Sequence, residues 1–328
     1  INVRNDQVEN ETGNRMRILV SGSSGMVGSA LITALAYDGH QIVQLVRRTA
    51  NPDAKVLEFS WDPEHGAFDS RLLGNIDAAI HLGGVSIAGA RWNAERKLLI
   101  RESRVRSTRL LSQALAGLQS PPKVLIVASA VGFYGDRGEE PLTEDSSPGE
   151  GFLSDTAVRW EAAADIAREA GIRVVHARFG LIMSRQGGLL ARVRMPFQTA
   201  LGGKLGNGRQ WWPWISLPDV VNGLSYLIGN EQISGPVNFT APTPARNEEF
   251  TKLMSKTLSR PAWFHIPSAI IRLFFGEMGE ETMLSSQRAY PEKLRAAGFE
   301  WTFESLEDVL HEELVASRVD HWGDNQRG

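Results

Sequence analysis

The stretch Ile18-Leu-Val-Ser-Gly-Ser-Ser-Gly-Met-Val-Gly28 limits the possible folds more than any other part of the chain. Ile18, Leu19 and Val20 form the short apolar run of a parallel strand covered on both faces. Gly22, Gly25 and Gly28 follow at equal spacing. Gly22 suits a tight turn, Gly25 lets a phosphate reach the backbone, and Gly28 lets the next helix lie close to the sheet. Met26–Tyr37 reads as that helix, with Val27, Leu31, Ala34 and Leu35 on one face and a stop at Asp38-Gly39. Free N–H groups and a positive helix end then make an anion site suited to a pyrophosphate. The next strand, Gln41–Val46, ends in Arg47-Arg48. An acid here holds a ribose 2′-hydroxyl and an arginine a 2′-phosphate, so NADP(H) is favoured over NAD(H).

Strands and helices keep alternating after this unit. Residues 55–59 read as a third strand ending at Ser60-Trp61-Asp62, and residues 77–82 as a fourth ending in Gly83-Gly84. Trp61-Asp62 can flank an adenine or simply cover the core; Leu82-Gly83 can pass beside ribose and pyrophosphate. His81 reads as a satisfied sheet residue, since no second metal-type residue stands at a useful spacing. A long helix from Asn93 to about Leu118 carries Arg101, Arg104 and Thr108 on one side with Val105. At least one of these arginines is directed towards the sheet, where burial demands an anion such as a cofactor phosphate or an acidic substrate. Residues 123–128 form a fifth strand that delivers Ser129-Ala-Val-Gly-Phe-Tyr-Gly135 to the same edge, residues 155–170 a helix, and residues 173–178 a sixth strand.

The chain has 328 residues, enough for one large α/β domain with a smaller appended lobe. Its net charge of -3 gives no general attraction to nucleic acid or anionic membrane. The absence of cysteine excludes disulfides, thiolate catalysis and Cys-ligated metals, and no metal site is expected. No apolar run is long enough to span a bilayer. Residues 1–15 are polar and unpatterned and read as a disordered leader. A reducing compartment is expected: the cytoplasm, or an organellar stroma or matrix if that leader is processed. Residues 16–183, with 210–240 returning to them, are assigned to the sheet domain, residues 184–209 and 241–318 to a mostly helical substrate lobe, and 319–328 to a tail. Trp211, Trp212 and Trp214 suit an apolar core by default and a stacking wall for a planar substrate as the alternative. The apolar run 266–275 is short and carries one basic residue, which favours packing within the lobe over a membrane-surface role.

Several segments agree in order and spacing with one group of proteins: Gly22-x-x-Gly25-x-x-Gly28, Arg91-Trp92, Ser129-Ala-Val-Gly-Phe-Tyr-Gly, Trp160-Glu-Ala-Ala-Ala, Leu201-Gly-Gly-Lys-Leu-Gly-Asn-Gly-Arg-Gln-Trp and Trp214-Ile-Ser. From about Met16 to the last helix the chain resembles the extended short-chain dehydrogenase/reductases, in particular the atypical "epimerase family protein" subgroup, sometimes labelled cell-division-inhibitor-like. The resemblance implies a Rossmann-type doubly wound parallel sheet binding NADP(H), with a C-terminal domain of unknown function completing a substrate cleft. The expected cofactor contacts are Gly22, Ser24, Gly25, Met26, Val27, Arg47, Arg48, Leu82, Gly83, Arg104, Ser129 and Ile182.

The wider superfamily moves a hydride with the help of a Ser and a Tyr-x-x-x-Lys pair, in which the Lys lowers the phenol's pKa. This chain departs from that pattern. Alignment on Tyr134-Gly135 and Trp160-Glu161 puts Ala130 at the serine position, Asp155 at the tyrosine and Arg159 at the lysine. Tyr134 and Ser129 are then the nearest candidates for proton transfer, with Arg159 keeping the positive charge, although a tyrosine in such a loop is more often packed. Two readings stand: an NADP(H)-dependent oxidoreductase or epimerase acting on a small molecule, or a catalytically degenerate cofactor-binding sensor or interaction protein, linked to cell division by the subgroup label. Substrate and oligomeric state are not legible.

Overall fold

A computed structural model describes residues 15–316. The expected leader before Arg15, the tail 319–328 and the last residues assigned to the lobe lie outside the described residues. Seven parallel strands form the central sheet: β1 Arg17–Ser21, β2 Gln41–Val46, β3 Leu57–Ser60, β4 Ala78–His81, β5 Val124–Ala130, β6 Arg173–Phe179 and β7 Gly235–Phe239. Their order across the sheet is β7-β6-β5-β4-β1-β2-β3. Successive residues of one strand face opposite sides. Thus Ile18 and Val20 enter one core with Ile80, Ile126, Val175 and Val237, while Leu19 enters the other with Val43, Ala79, Leu125 and Val127. Both faces are covered, which is why β1 reads as an unbroken apolar run rather than an alternating one.

The helix after β1, α1 (Met26–Tyr37), packs Leu31 and Leu35 into the first core. The helix after β4, α2 (Ala94–Ala116), is capped by the Asn93 side chain, which accepts from Arg96 N at 2.7 Å. It buries Leu111 and Leu115 in the second core beside Trp160 of α3 (Phe152–Ala162). The helix expected over 155–170 starts a turn earlier and breaks after Ala162, resuming as a short turn at Asp165–Glu169.

The C-terminal lobe holds α4 (Gly188–Gln198), α6 (Asn247–Leu258), α7 (Ser268–Gly279) and α8 (Leu306–Leu314); α5 (Leu217–Gly229) belongs to the sheet domain. Trp212 and Trp214 are buried with Phe250, Met254 and Leu310, so for these two the core reading holds. Trp211 is different: it lies at the surface between the guanidiniums of Arg246 (4.3 Å to the ring centre) and Arg288 (4.9 Å). The run 266–275 packs on one side only. Ile271 is buried, whereas Ile270, Leu273 and Phe274, at helical spacing, are exposed. Among the described residues no helix is long and apolar enough to cross a membrane.

Candidate functional site

The turn between β1 and α1 sits at the carboxyl edge of the sheet, and its three glycines have three different neighbours. Gly22 has φ +74°, and a Cβ on it would lie 2.7 Å from the Leu82 carbonyl carbon, so the turn is pressed against the end of β4. A Cβ on Gly28 would stand 2.3 Å from the Gly22 carbonyl oxygen, inside the turn itself. Gly25 has ordinary extended angles, φ -78° and ψ 166°, and a Cβ there would meet a single atom, the Gly22 oxygen at 3.3 Å. Local sterics therefore demand glycine at positions 22 and 28, while the space before Gly25 is open. Ser24 and Gly25 are exposed, no side chain caps α1, and its first turn carries no acid. The backbone donors of Met26 and Val27 thus face outward with the positive helix end behind them.

Leu82 and Gly83 lie beside this turn, the Leu82 amide donating to Ser21 O at 3.1 Å. Met26 touches the start of α4, since a Cβ on Gly187 would be 3.0 Å from its sulfur. Ile182, on the short strand Leu181–Met183, reaches the same corner, its carbonyl oxygen lying 3.4 Å from a Cβ built on Gly188. Gly22, Ser24, Gly25, Met26, Val27, Leu82, Gly83 and Ile182 are therefore brought together. His81 stands beneath them, wholly buried between the hydroxyls of Ser21 and Ser107. Burial holds its imidazole down to about 4, so it is neutral and structural.

The end of β2 forms a second part of the site. Arg47, Arg48, Ser60, Trp61, Asp62 and Phe68 line a cavity of about 420 Å³. Arg47 is exposed and makes no ion pair among the described residues. Arg48 is not free, although the sequence places no acid beside it at this strand end. Glu58 of β3 takes Arg48 in a two-pronged ion pair at 2.7 and 2.6 Å, and the guanidinium holds that carboxyl below its usual range. Trp61 is buried in T-shaped contact with Phe68 and His81 and so covers the core.

Packing gives each of the proton-transfer candidates a protein partner. Tyr134 is fully buried; its hydroxyl donates towards Thr143 O (2.9 Å) and Asn238 Oδ1 (2.7 Å) and accepts from Arg178 Nη1 (3.0 Å). Burial pushes this phenol up to about 12 against the pull of Arg178. Ser129 is equally buried and donates to Glu161 Oε1 at 2.7 Å. Glu161 in turn grips Arg178 at 2.8 and 2.9 Å. Asp155 and Arg159 are exposed partners of each other, at 2.9 Å, and Asp155 also meets Arg101. The side of α3 that faces the loop after β5 carries Leu153, 3.3 Å from a Cβ built on Gly132, and Ala157, packed with Val131 and Phe133. Asp155 and Arg159 each follow these by two residues, about 200° around the helix.

Other contributors are invisible to local patterns. Glu281 of the lobe accepts from the amides of Phe152 and Leu153 at 2.8 and 2.7 Å, capping α3 where Gly151 has no side chain to do so. Arg104 lies under the loop after β4, close against Gly84 and over the Trp160 ring, and donates to the backbone oxygens of Val85 and Ile100. Burial and nearby Arg96 lower it to about 10, and among the described residues it has no carboxylate partner. No group of three or more metal-binding side chains occurs among the described residues. The open phosphate turn, the unpaired Arg47 and the adjoining cavity fit a dinucleotide.

Residues 18–239 match the NAD dependent epimerase/dehydratase family, and residues 266–313 match a domain of unknown function, DUF1731. An epimerase family protein of Mycobacterium bovis is 42% identical over 293 residues, 89% of this chain and 96% of the relative. The Bacillus subtilis epimerase family protein YfhF is 36% identical over 304 residues, 92% of this chain and 99% of that one. The crystal structure of human epimerase family protein SDR39U1 with NADPH superposes with a TM-score of 0.83 at 31% identity, covering 91% of this chain and 99% of the human one.

Proposed function

The chain belongs to the NAD dependent epimerase/dehydratase family, and we propose that it is an NADP(H)-dependent oxidoreductase or epimerase acting on a small molecule between the sheet edge and the C-terminal lobe. The observation that carries this reading is the uncapped first turn of α1, opened by a glycine at position 25 that folding itself does not require. Met26 and Val27 would donate to the pyrophosphate there, and the packing of Gly22 against Leu82 fixes the turn's position. Arg47 would hold the 2′-phosphate in the cavity beside Trp61, while Arg48 stays paired with Glu58. A nicotinamide bound here supplies a hydride donor or acceptor.

The nicotinamide would lie at the end of β5, where Ala130, Gly132 and Leu153 hold no titratable proton. Proton exchange is then left to solvent or to groups on the substrate. The same apolar lining favours the second reading, a cofactor-binding sensor without turnover. Calorimetric titration with NADPH and NADH tests cofactor choice. A charge-assisted contact to the 2′-phosphate is worth roughly 1.5–3 kcal/mol, so NADPH should bind about tenfold tighter or better, and Arg47→Ala should erase the difference. Equal affinities in the unaltered protein would remove NADP(H) from the account. NADPH oxidation across a carbonyl library separates the enzyme from the sensor.

A further inference from the structure

Between β4 and α2 runs Gly83-Gly-Val-Ser-Ile-Ala-Gly-Ala-Arg-Trp92, a loop within an acid-free stretch from Ala78 to Ala94. Its carbonyl oxygens are taken one after another by side-chain donors. Arg104 Nη1 donates to Val85 O (3.0 Å), Arg96 Nη2 to Ser86 O, Trp92 Nε1 to Ile87 O (2.8 Å) and Arg192 Nη1, from α4, to Ala88 O (3.1 Å). In a trans peptide the C=O of one residue and the N–H of the next point in opposite directions. The amides of Ser86, Ile87 and Ala88 therefore each point away from the donor that the preceding carbonyl meets. Among the described residues no protein acceptor meets those amides, whereas the preceding one, Val85, is met by Ser103 Oγ at 3.2 Å.

The cations behind the loop are uncompensated. Neither Arg96, Arg104 nor Arg192 has a carboxylate partner among the described residues, and Arg96 Nε is buried without any partner. The loop also lacks side chains where the guanidiniums come closest: a Cβ on Gly84 would lie 3.2 Å from Arg104 Cζ, and one on Gly89 would lie 2.8 Å from Arg96 Nη2. Arg192 reaches the loop from a segment, residues 184–212, that contains no Asp or Glu. Successive unmet N–H groups close to guanidiniums without carboxylate partners are donors that an oxyanion can meet.

We propose that residues 84–89 form an anion-binding loop that holds a carboxylate or phosphate group of the substrate. This assignment rests on reading the space between sheet edge and lobe as the substrate cleft. A cofactor pyrophosphate would have its own donors at Met26 and Val27, in the turn packed against Leu82. The loop is therefore a second anion site, and the substrate is an acid.

The test uses the ¹⁵N-labelled full chain saturated with NADPH and titrated with inorganic phosphate and, separately, with acetate. The amide resonances of Ser86, Ile87 and Ala88 should move saturably, with affinity on the order of millimolar for so small a probe. Arg192→Gln keeps a donor for Ala88 O but removes the charge, and should weaken phosphate binding about threefold, as expected for one exposed charge. Phosphate that displaces NADPH would mean that the anion held is the cofactor's, and would overturn the proposal. So would an adventitious ion only, seen as unsaturating shifts spread over surface Arg and Lys, or no shift at residues 86–88. If NADPH does not bind, the cofactor reading falls by itself, and the same titration of the free protein still decides the loop.

Discussion

Gly25→Ala and Gly28→Ala should separate a glycine kept for the ligand from one kept for the fold. At Gly25 the backbone angles, φ -78° and ψ 166°, are ones any residue adopts, and the added methyl meets only the Gly22 oxygen at 3.3 Å. A shift of a few tenths of an ångström relieves that contact. The stiffer unfolded chain of an Ala variant returns about 0.4–1 kcal/mol, so stability should stay within about 1 kcal/mol of the parent. The methyl nevertheless fills the approach to the Met26 and Val27 donors. Losing one charge-assisted bond there costs roughly 1.5–3 kcal/mol, a roughly ten- to hundredfold rise in the NADPH dissociation constant. At Gly28 the methyl would lie 2.3 Å from the Gly22 oxygen and 2.9 Å from Ser23 Cα, both backbone atoms. The whole turn must move, at about 1–3 kcal/mol or more. Urea unfolding and calorimetric titration of the two variants read both quantities. The reasoning is refuted if Gly25→Ala binds NADPH within about twofold of the parent, or if Gly28→Ala is as stable as the parent.

Two further outcomes follow from the buried polar groups. Tyr134→Phe leaves Asn238 Oδ1 and Arg178 Nη1 without their partner and should cost about 1–3 kcal/mol in urea unfolding with NADPH affinity unchanged; undiminished stability with turnover lost would instead restore the phenol as a catalytic acid. His81 is neutral in the folded protein because burial lowers it to about 4 from 6.5, so its contribution is complete above pH 6.5 and is lost as pH falls from there towards 4, up to about 3 kcal/mol. The lowered His176 acts in the same direction, and an NMR titration of His81 with a midpoint near 6.5 would contradict this.

The glycine turn was readable because its constraints are local: three residues and the two elements they join decide it. The burial of Trp212 and Trp214 and the neutral His81 were also within reach of composition and pattern. What escaped depends on register between distant segments. Glu58 meets Arg48 because β3 pairs with β2 so that Ser60 stands opposite Val46, an alignment that no spacing in the chain reveals. The side of α3 that meets the β5 loop was equally hidden: it carries Leu153 and Ala157 rather than Asp155 and Arg159. Tyr134 and Ser129 looked available because they follow a strand end, where ligands gather. Their partners Arg178, Glu161 and Asn238 arrive from β6, α3 and β7 and close over them. One signal for the missed cations was present in the sequence: the acid-free runs 78–94 and 184–212, which the fold brings together through Arg192 and Ala88.

The central claim, that a nicotinamide dinucleotide is seated on the turn from Gly22 to Val27, is tested most directly by a crystal structure of the full chain with NADPH. The account predicts pyrophosphate oxygens about 2.7–3.2 Å from the amide nitrogens of Met26 and Val27, the 2′-phosphate beside Arg47, and the nicotinamide ring against Ala130, Gly132 and Leu153. A dinucleotide bound elsewhere, or a turn that keeps its donors to itself at saturating NADPH, would contradict it.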